Sequence, residues 1–101
     1  MICNPYEVVE VPFPFSDLPK SKLRKALVIS AKEFNEKNQN TVLLMITSAT
    51  YSHWFSDIKI KDLSGTGLKK NCFIRFKMFT LDNNFIIQKC GELNQVEVLN
   101  V

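Results

Sequence analysis

The segment from Val8 to Ser30 constrains the fold of this chain most, because it contains two strand patterns joined by a basic connection. The first pattern has the two-residue period of a strand with one buried face. Its apolar positions are Val9, Val11, Phe13 and Phe15. The run from Ala26 to Ile29 is continuously apolar, which is typical of a strand buried on both faces. The segment therefore predicts two strands that enclose a loop.

The connection between these strands is basic and carries no acidic residue after Asp17. Its cations are Lys20, Lys22, Arg24 and Lys25. A second basic group consists of Lys69, Lys70, Arg75 and Lys77. A single run of charges is more often a solvated loop, but two runs beside strands in one small chain favour an anion site. A phosphate-bearing partner is the prediction that follows.

Length and composition limit the possible classes of protein. A chain of 101 residues predicts a single domain, residues 1–101, whose small core makes burial in a dimer plausible. Three widely spaced cysteines without a C-x-x-C pair predict reduced thiols and no zinc or redox motif. One histidine, His53, argues against most metal sites. The chain shows neither a signal-peptide pattern nor an apolar run long enough to span a bilayer, so we expect a cytoplasmic location without membrane contact.

Further short apolar patterns follow along the chain. We predict a buried strand at Thr41–Thr47, an edge strand at Ile58–Lys61, and strands at Cys72–Thr80 and Phe85–Lys89, the last ended by Gly91. Within Cys72–Thr80, alternation predicts that Phe73, Arg75, Lys77 and Phe79 share one face and that Cys72, Ile74, Phe76 and Met78 share the other. Asn94 is predicted to cap a short terminal helix. Many short strands with little helix indicate a mainly β fold, a small antiparallel barrel.

Several segments also resemble the MazF/PemK family of toxin endoribonucleases. The match begins with V-P-F-P-F-S-D-L at Val11–Leu18 and R-K-A-L-V-I-S at Arg24–Ser30, where Lys25 replaces the family's proline. It continues in order at Ile46–Ser48, Gly67–Cys72, Lys77–Asp82 and Gly91–Leu93. The resemblance implies an SH3-like antiparallel β-barrel with short helices (the MazF/CcdB-like toxin fold). It also implies a homodimer, a cognate antitoxin protein as partner, and metal-independent, sequence-specific cleavage of single-stranded RNA without a cofactor.

The resemblance assigns two catalytic residues. Arg24 matches the family's catalytic arginine, which would clamp the scissile phosphate through its planar fork. Thr47 matches the family's threonine, whose hydroxyl would hold the phosphate or the activated oxygen. Without the resemblance, the sequence favours a solvated loop cation at Arg24, and it indicates an ordinary strand-end residue as readily as a site residue at Thr47. The RNA-binding residues that we predict around them are Lys20, Lys22, Lys25, Ser48, Arg75 and Lys77.

Two alternatives remain open from the sequence. A non-catalytic binding protein on the same barrel, either a gyrase-inhibiting toxin or a degenerate RNA-binding module, is the second hypothesis for function, and a structural adaptor is a third. His53 is predicted to serve packing or loop hydrogen bonding rather than catalysis. Trp54 and Phe55 are predicted to lie in the core or at an interface, with base stacking as the alternative.

Overall fold

The computed structural model describes residues 1–12, 23–48, 52–98 and 101. Its strands are β1 (Glu7–Pro12), β2 (Leu23–Val28), β3 (Asn40–Thr47), β4 (Ile58–Lys59), β5 (Phe73–Asp82) and β6 (Gln88–Glu92). Its helices are α1 (Lys32–Asn38), a short 3-10 helix (Asn83–Phe85) and α2 (Gln95–Val98). The predictions for Lys20 and Lys22, and for the strand positions Phe13 and Phe15, lie outside the described residues.

The six strands form one antiparallel sheet in the order β4-β5-β3-β2-β1-β6, which curls into a half-barrel. The prediction of a mainly β, small antiparallel barrel with short helices is therefore confirmed. The strand predicted at Phe85–Lys89 is present, but its predicted bounds are wrong. The chain first forms the 3-10 helix, β6 begins only at Gln88, and it runs through Gly91, where the sequence predicts its end. A side chain at Gly91 would lie 2.2 Å from the carbonyl oxygen of Gly65, so a glycine is required inside this strand.

Each face of the sheet is covered by its own apolar layer. One layer, here the outer layer, contains Val9, Val11, Ala26, Leu43 and Phe79 together with Cys3 and Ile86. The other, the inner layer, contains Val8, Leu27, Leu44, Ile46 and Ile74 together with Ile60, Cys72 and Leu93. The central strands are buried on both faces, which explains why their sequences are continuously apolar rather than alternating.

The segment between β4 and β5 crosses the open side of the half-barrel. The buried carboxylate of Glu97 in α2 accepts hydrogen bonds from the backbone N–H groups of Lys61 and Asp62, both at 2.8 Å. Further along, the N–H of Glu92 in β6 donates to the carbonyl oxygen of Gly65 at 2.9 Å. Asn94 accepts from the N–H of Glu97 at 3.1 Å, which confirms the predicted helix cap. The segment thus joins the two edges of the sheet.

Gly67 and Gly65 offer a matched test of this crossing. Both have a left-handed backbone, with φ of 76° and 77°. An added Cβ at Gly67 would clash with backbone, 2.4 Å from the carbonyl oxygen of Cys90, whereas at Gly65 the nearest backbone atom is 3.8 Å away. We expect Gly65→Ala to lower the free energy of unfolding by about 1 kcal/mol, the cost of the left-handed conformation. Gly67→Ala adds a steric cost and should lower it by about 3 kcal/mol. Urea unfolding measures both, and equal losses of stability would contradict the close approach.

β5 carries an irregularity that exposes two apolar side chains. Its register with β3 shifts by two residues between Leu44 and Met45, so that Met45 pairs with Arg75 instead of Lys77. Ile74 is buried as expected, whereas Phe76 and Met78, predicted to share its face, are 42% and 54% exposed. A bulge interrupts local pairing and strengthens the twist of the strand. Neither of these two side chains belongs to the inner layer, although Met78 pairs with the inner-layer residue Leu44.

Candidate functional site

Arg24 and Thr47 lie at the same level of the sheet, where β2 begins and β3 ends. The two strands pair through Ala26 and Met45, and this register, continued by two residues, sets Arg24 opposite Thr47. Side chains two residues apart in a strand emerge on the same face, so Arg24 and Thr47 share the outer face with Ala26 and Met45. Arg24 is exposed, and Thr47 is largely buried. The structure therefore brings the two predicted catalytic residues together on one face.

Cross-strand pairing extends this level into a row across five strands. Arg24 pairs with Val11 on one side, Thr47 pairs with Phe73 on the other, and Phe73 pairs with Lys59 of β4. The row therefore places cations on both sides of a hydroxyl and an aromatic ring. We call these five residues the catalytic row, after the two predicted catalytic residues that it contains. Sequence reasoning missed Lys59 as a residue of this row. Its alternation with Ile58 indicates an exposed position on an edge strand, but it does not indicate which residues lie beside Lys59 in the sheet.

The next row of the same face contains an ion pair between Arg75 and Asp57. The two side chains are 7% and 2% exposed, and the guanidinium bonds both carboxylate oxygens, Nε to Oδ1 at 3.1 Å and Nη2 to Oδ2 at 2.9 Å. Arg75 also donates to the hydroxyl and the carbonyl oxygen of Ser52. Its predicted contact with RNA stays a prediction, and this geometry favours a role in holding the 52–57 loop. Lys77 lies in the bulge, on the far side of Arg75 from Phe73.

The ion pair makes the loop sensitive to acid. The hydrogen bonds from Arg75 lower the pKa of Asp57. A lowered folded-state pKa means that the stabilisation is complete above the unfolded pKa of about 3.9 and disappears as pH falls through the folded value. We expect the fluorescence of Trp54, which lies over Arg75, to change in a transition below pH of about 4. The variant Asp57→Asn, which keeps Arg75 and His53, should lose this transition if Asp57 is the group that titrates. A transition that persists in the variant would contradict this assignment.

The opposite face of the same strand ends bears a basic cleft. It has a volume of about 330 Å³ and is lined by Lys25, Ser48, Gly67, Leu68, Lys69, Lys70 and Cys72. Alternation explains why Lys25 and Ser48 point here while their neighbours Arg24 and Thr47 do not. The two basic groups of the sequence thus meet in space through Lys25, Lys69 and Lys70. The anion site that their clustering predicts stays a prediction, and this cleft is the place in the structure that fits it.

A carboxylate orients one lysine of the cleft. The Nζ of Lys25 donates to Oε2 of Glu10 at 2.8 Å, and the strands pair these residues directly. The hydrogen bond raises the pKa of Lys25 and lowers that of Glu10. The sequence indicates Lys69 and Lys70 as charges but not as site residues, because Lys25, which lines the same cleft, is more than 40 positions away in the chain.

Metal-ligating and nucleophilic residues are sparse in the described part of the chain. No group of three or more histidine, cysteine, aspartate or glutamate side chains that could hold a metal occurs there. Cys3 and Cys72 are buried, and burial raises the pKa of each thiol, which makes these sulfurs poor nucleophiles. His53 is exposed, with Nδ1 3.8 Å from Asp57, beyond hydrogen-bond distance.

Comparison with known proteins identifies relatives of this fold and sequence. The sequence profile of a family described as "PemK-like, MazF-like toxin of type II toxin-antitoxin system" matches residues 4–101. No curated protein sequence matches the chain. Of the helices in the described residues, none is long and apolar enough to cross a membrane.

Solved structures share the architecture at low sequence identity. An endoribonuclease in complex with its cognate antitoxin, from a mycobacterial species, has a TM-score of 0.76 at 12% identity, covering 97% of this chain and 85% of its own. MazF from Deinococcus radiodurans has a TM-score of 0.75 at 16% identity, covering 99% and 89%. The Mycobacterium tuberculosis toxin MazF-mt6 has a TM-score of 0.72 at 13% identity, covering 93% and 86%. At these identities the likeness establishes the fold.

Proposed function

The chain belongs to the PemK-like, MazF-like toxins of type II toxin–antitoxin systems, and from this premise we propose that it cleaves single-stranded RNA without a metal ion. The observation that carries the proposal is the register of β2 and β3, which, continued by two residues, sets the exposed Arg24 opposite the largely buried Thr47 at the ends of these strands. Solved structures of the same fold include proteins named as endoribonucleases, which supports the reaction class.

The reaction needs few protein groups, because the substrate supplies the nucleophile. The 2′-hydroxyl attacks the adjacent phosphorus and gives up its proton, and the bond to the 5′ oxygen breaks. The leaving 5′ oxygen takes up a proton, so the products are a cyclic phosphate and a free 5′-hydroxyl. Arg24 holds two phosphate oxygens and offsets the negative charge that accumulates in the transition state. Thr47 donates a further hydrogen bond and fixes the orientation of the phosphate. Because the reaction requires the 2′-hydroxyl, the substrate is RNA and not DNA.

The basic cleft binds the part of the RNA strand that lies beyond the scissile phosphate. The catalytic row and the cleft lie on opposite faces of the same strand ends, so an RNA strand that curves around this edge contacts both. Lys25, Lys69 and Lys70 bind its backbone, and Ser48 donates to a phosphate oxygen. Such a path requires a flexible strand, which single-stranded RNA provides and a duplex does not.

Incubation of an unstructured RNA with the protein in EDTA tests the proposal. We expect cuts at defined short sequences, products with cyclic phosphate ends, and no cutting of the same RNA carrying 2′-O-methyl groups. The methylated strand is the control, because it keeps the charge and the bases but lacks the nucleophile. Intact RNA in the presence of folded protein would contradict the catalytic proposal and favour the non-catalytic binding hypothesis.

Removing charge from the cleft should weaken RNA binding without stopping chemistry. For the double variant Lys69→Gln/Lys70→Gln we expect a weaker affinity and a shallower dependence of log affinity on log salt, by about 0.7 for each phosphate that the variant no longer neutralises. The control is Lys32→Gln/Lys37→Gln in α1, which removes the same charge outside the cleft. Titrations of methylated RNA at several salt concentrations measure both, and equal slopes for the two double variants would contradict the assignment.

We also propose the partners of the chain. Antitoxin complexes occur among the structural neighbours, and an acidic, flexible antitoxin segment would complement the basic cleft and exclude RNA from it. A homodimer would bury the exposed Phe76 and Met78 at the bulge of β5. Size-exclusion chromatography of the native chain and of Phe76→Ser/Met78→Ser tests the dimer. The cytoplasm, where messenger RNA is translated, is the location consistent with these partners.

A further inference from the structure

The 52–57 loop ends in a tight turn that displays two aromatic side chains. The N–H of Asp57 donates to the carbonyl oxygen of Trp54 at 3.0 Å, and Oδ2 of Asp57 accepts from the N–H of Trp54, also at 3.0 Å. Phe55 occupies the first central position of this turn and is as exposed as in an extended chain, at 104%. Trp54 is 40% exposed. Of the two positions predicted for these residues, the core is therefore wrong, whereas an interface and the alternative of base stacking stay predictions.

A buried ion pair holds this turn in place. Arg75 and Asp57 are desolvated, which is costly unless geometry and hydrogen bonding are good, and here the contact is bidentate. The guanidinium carbon of Arg75 also lies 5.2 Å from the centre of the Trp54 ring, within the range of a cation–π contact. The turn is thus fixed by side chains that are otherwise costly to bury. Its exposed tip does not pack in the folded core, so packing of the tip does not explain why the turn is held rigidly.

The turn stands beside the catalytic row. Arg75 pairs with Met45, which is two residues from Thr47, and diagonal neighbours in a sheet lie about 7–8 Å apart. The only acidic side chain of the 52–57 loop is Asp57, whose charge is offset by Arg75. An approaching polyanion therefore meets exposed rings next to the candidate active site without an opposing net negative charge from the loop.

We infer that Trp54 and Phe55 form a stacking platform for an unpaired base of the RNA strand whose scissile phosphate lies at Arg24 and Thr47. This inference rests on the proposed function and adds to it the contact that requires single-stranded substrate. Bases splayed out of a single strand stack on aromatic side chains, whereas paired bases in a duplex are not available. Arg75 and Asp57 are positioning residues, since they fix the rings and do not touch the base.

The fluorescence of Trp54, the only tryptophan in the chain, reports on the platform directly. Unstructured 2′-O-methyl hexamers of mixed sequence are titrated into the native protein, because they present bases and phosphates but cannot be cleaved. We expect saturable quenching, and about tenfold weaker binding by Phe55→Ala. Phe55→Tyr should bind like the native protein and Phe55→Leu like the alanine variant, because stacking needs a ring and not only apolar area.

Phe85→Ala is the matched control. Phe85 is also an exposed phenylalanine, at 56%, but it lies in the 3-10 helix that follows β5, at the end of that strand remote from Phe73. Its variant should bind as the native protein does. Equal affinity of Phe55→Ala and Phe85→Ala overturns the platform, as does equal quenching by a blunt duplex of the same length. A shift of Phe55→Ala from dimer to monomer in size-exclusion chromatography would overturn it in favour of a contact with a second copy.

The test separates this inference from the proposed function. Quenching by the hexamers that depends on the ring of Phe55, in a protein that leaves unmodified RNA intact, would uphold the platform and reject the nuclease. Cleavage in EDTA together with unchanged binding by Phe55→Ala would uphold the nuclease and reject the platform.

Discussion

Replacement of Arg24 by alanine is expected to lower the rate of RNA cleavage by at least roughly 10²- to 10³-fold, on the order found when one preorganised donor to a developing oxyanion is removed. The physical reason is that the phosphodiester carries one negative charge in the bound substrate and gains further negative charge only in the transition state, so the loss falls on the turnover rate more than on binding. Single-turnover cleavage of a defined RNA, followed over time in EDTA, measures it. The exposed position of Arg24 predicts that the free energy of unfolding stays within about 0.5 kcal/mol of native.

Arg24→Lys separates charge from geometry at this position. A lysine keeps the positive charge but is a point donor that cannot hold two phosphate oxygens in one plane. We expect it to recover RNA affinity and little of the rate. Lys32→Ala in α1 is the control, because it removes one exposed cation away from the catalytic row. Near-native cleavage by Arg24→Lys would show that general electrostatic attraction, rather than a bidentate clamp, is what Arg24 contributes.

Replacement of Asp57 by alanine is expected to lower the free energy of unfolding by about 3 kcal/mol, because the variant leaves the guanidinium of Arg75 buried and without its carboxylate. Both side chains are almost completely buried, which distinguishes this pair from the exposed pair of Lys37 and Glu33. The exposed pair should contribute less than about 1 kcal/mol. Urea unfolding at neutral pH, followed by far-ultraviolet circular dichroism, measures the loss of stability, and Glu33→Ala is the matched control.

A double variant identifies the cause of that loss. In Asp57→Leu/Arg75→Met both charges are replaced by apolar groups, and buried ion pairs can often be exchanged in this way with little net cost. We expect the double variant to recover most of the stability that Asp57→Ala loses. RNA affinity should not recover with it, because the turn that carries Trp54 and Phe55 loses its clamp. A loss of less than about 1 kcal/mol in Asp57→Ala would instead indicate that the loop opens and rehydrates Arg75.

The sequence predicted the strands best where apolar patterns are long. The strand expected at Thr41–Thr47 is present as Asn40–Thr47, since a continuously apolar run can only be stabilised by burial on both faces. The prediction failed where a contact between distant parts of the chain determines which residue a position requires. Gly91 resembles a strand breaker in the sequence, but it lies within β6 because the chain at Gly65 passes too close for a side chain.

The candidate site was predictable in its residues but not in its arrangement. Motif resemblance selected Arg24 and Thr47, and strand alternation accounts for Lys25 and Ser48 pointing to the opposite face. No local pattern, however, indicated that Lys69 and Lys70 line the same cleft as Lys25. Arg75 illustrates the converse case, because its sequence context favours a surface cation while its pairing with Asp57 buries it.

The sequence alone therefore determined the class of fold, the order of the strands along the chain and the two residues proposed for chemistry, because these depend on short-range periodicity and on contiguous motifs. The tertiary structure alone decided which charges are exposed and which residues share a face. Those properties depend on the order and register of strands in the sheet, which join positions far apart in the chain through pairing and burial. The catalytic row, with Lys59 and Arg24 in one line across the sheet, exists only at that level.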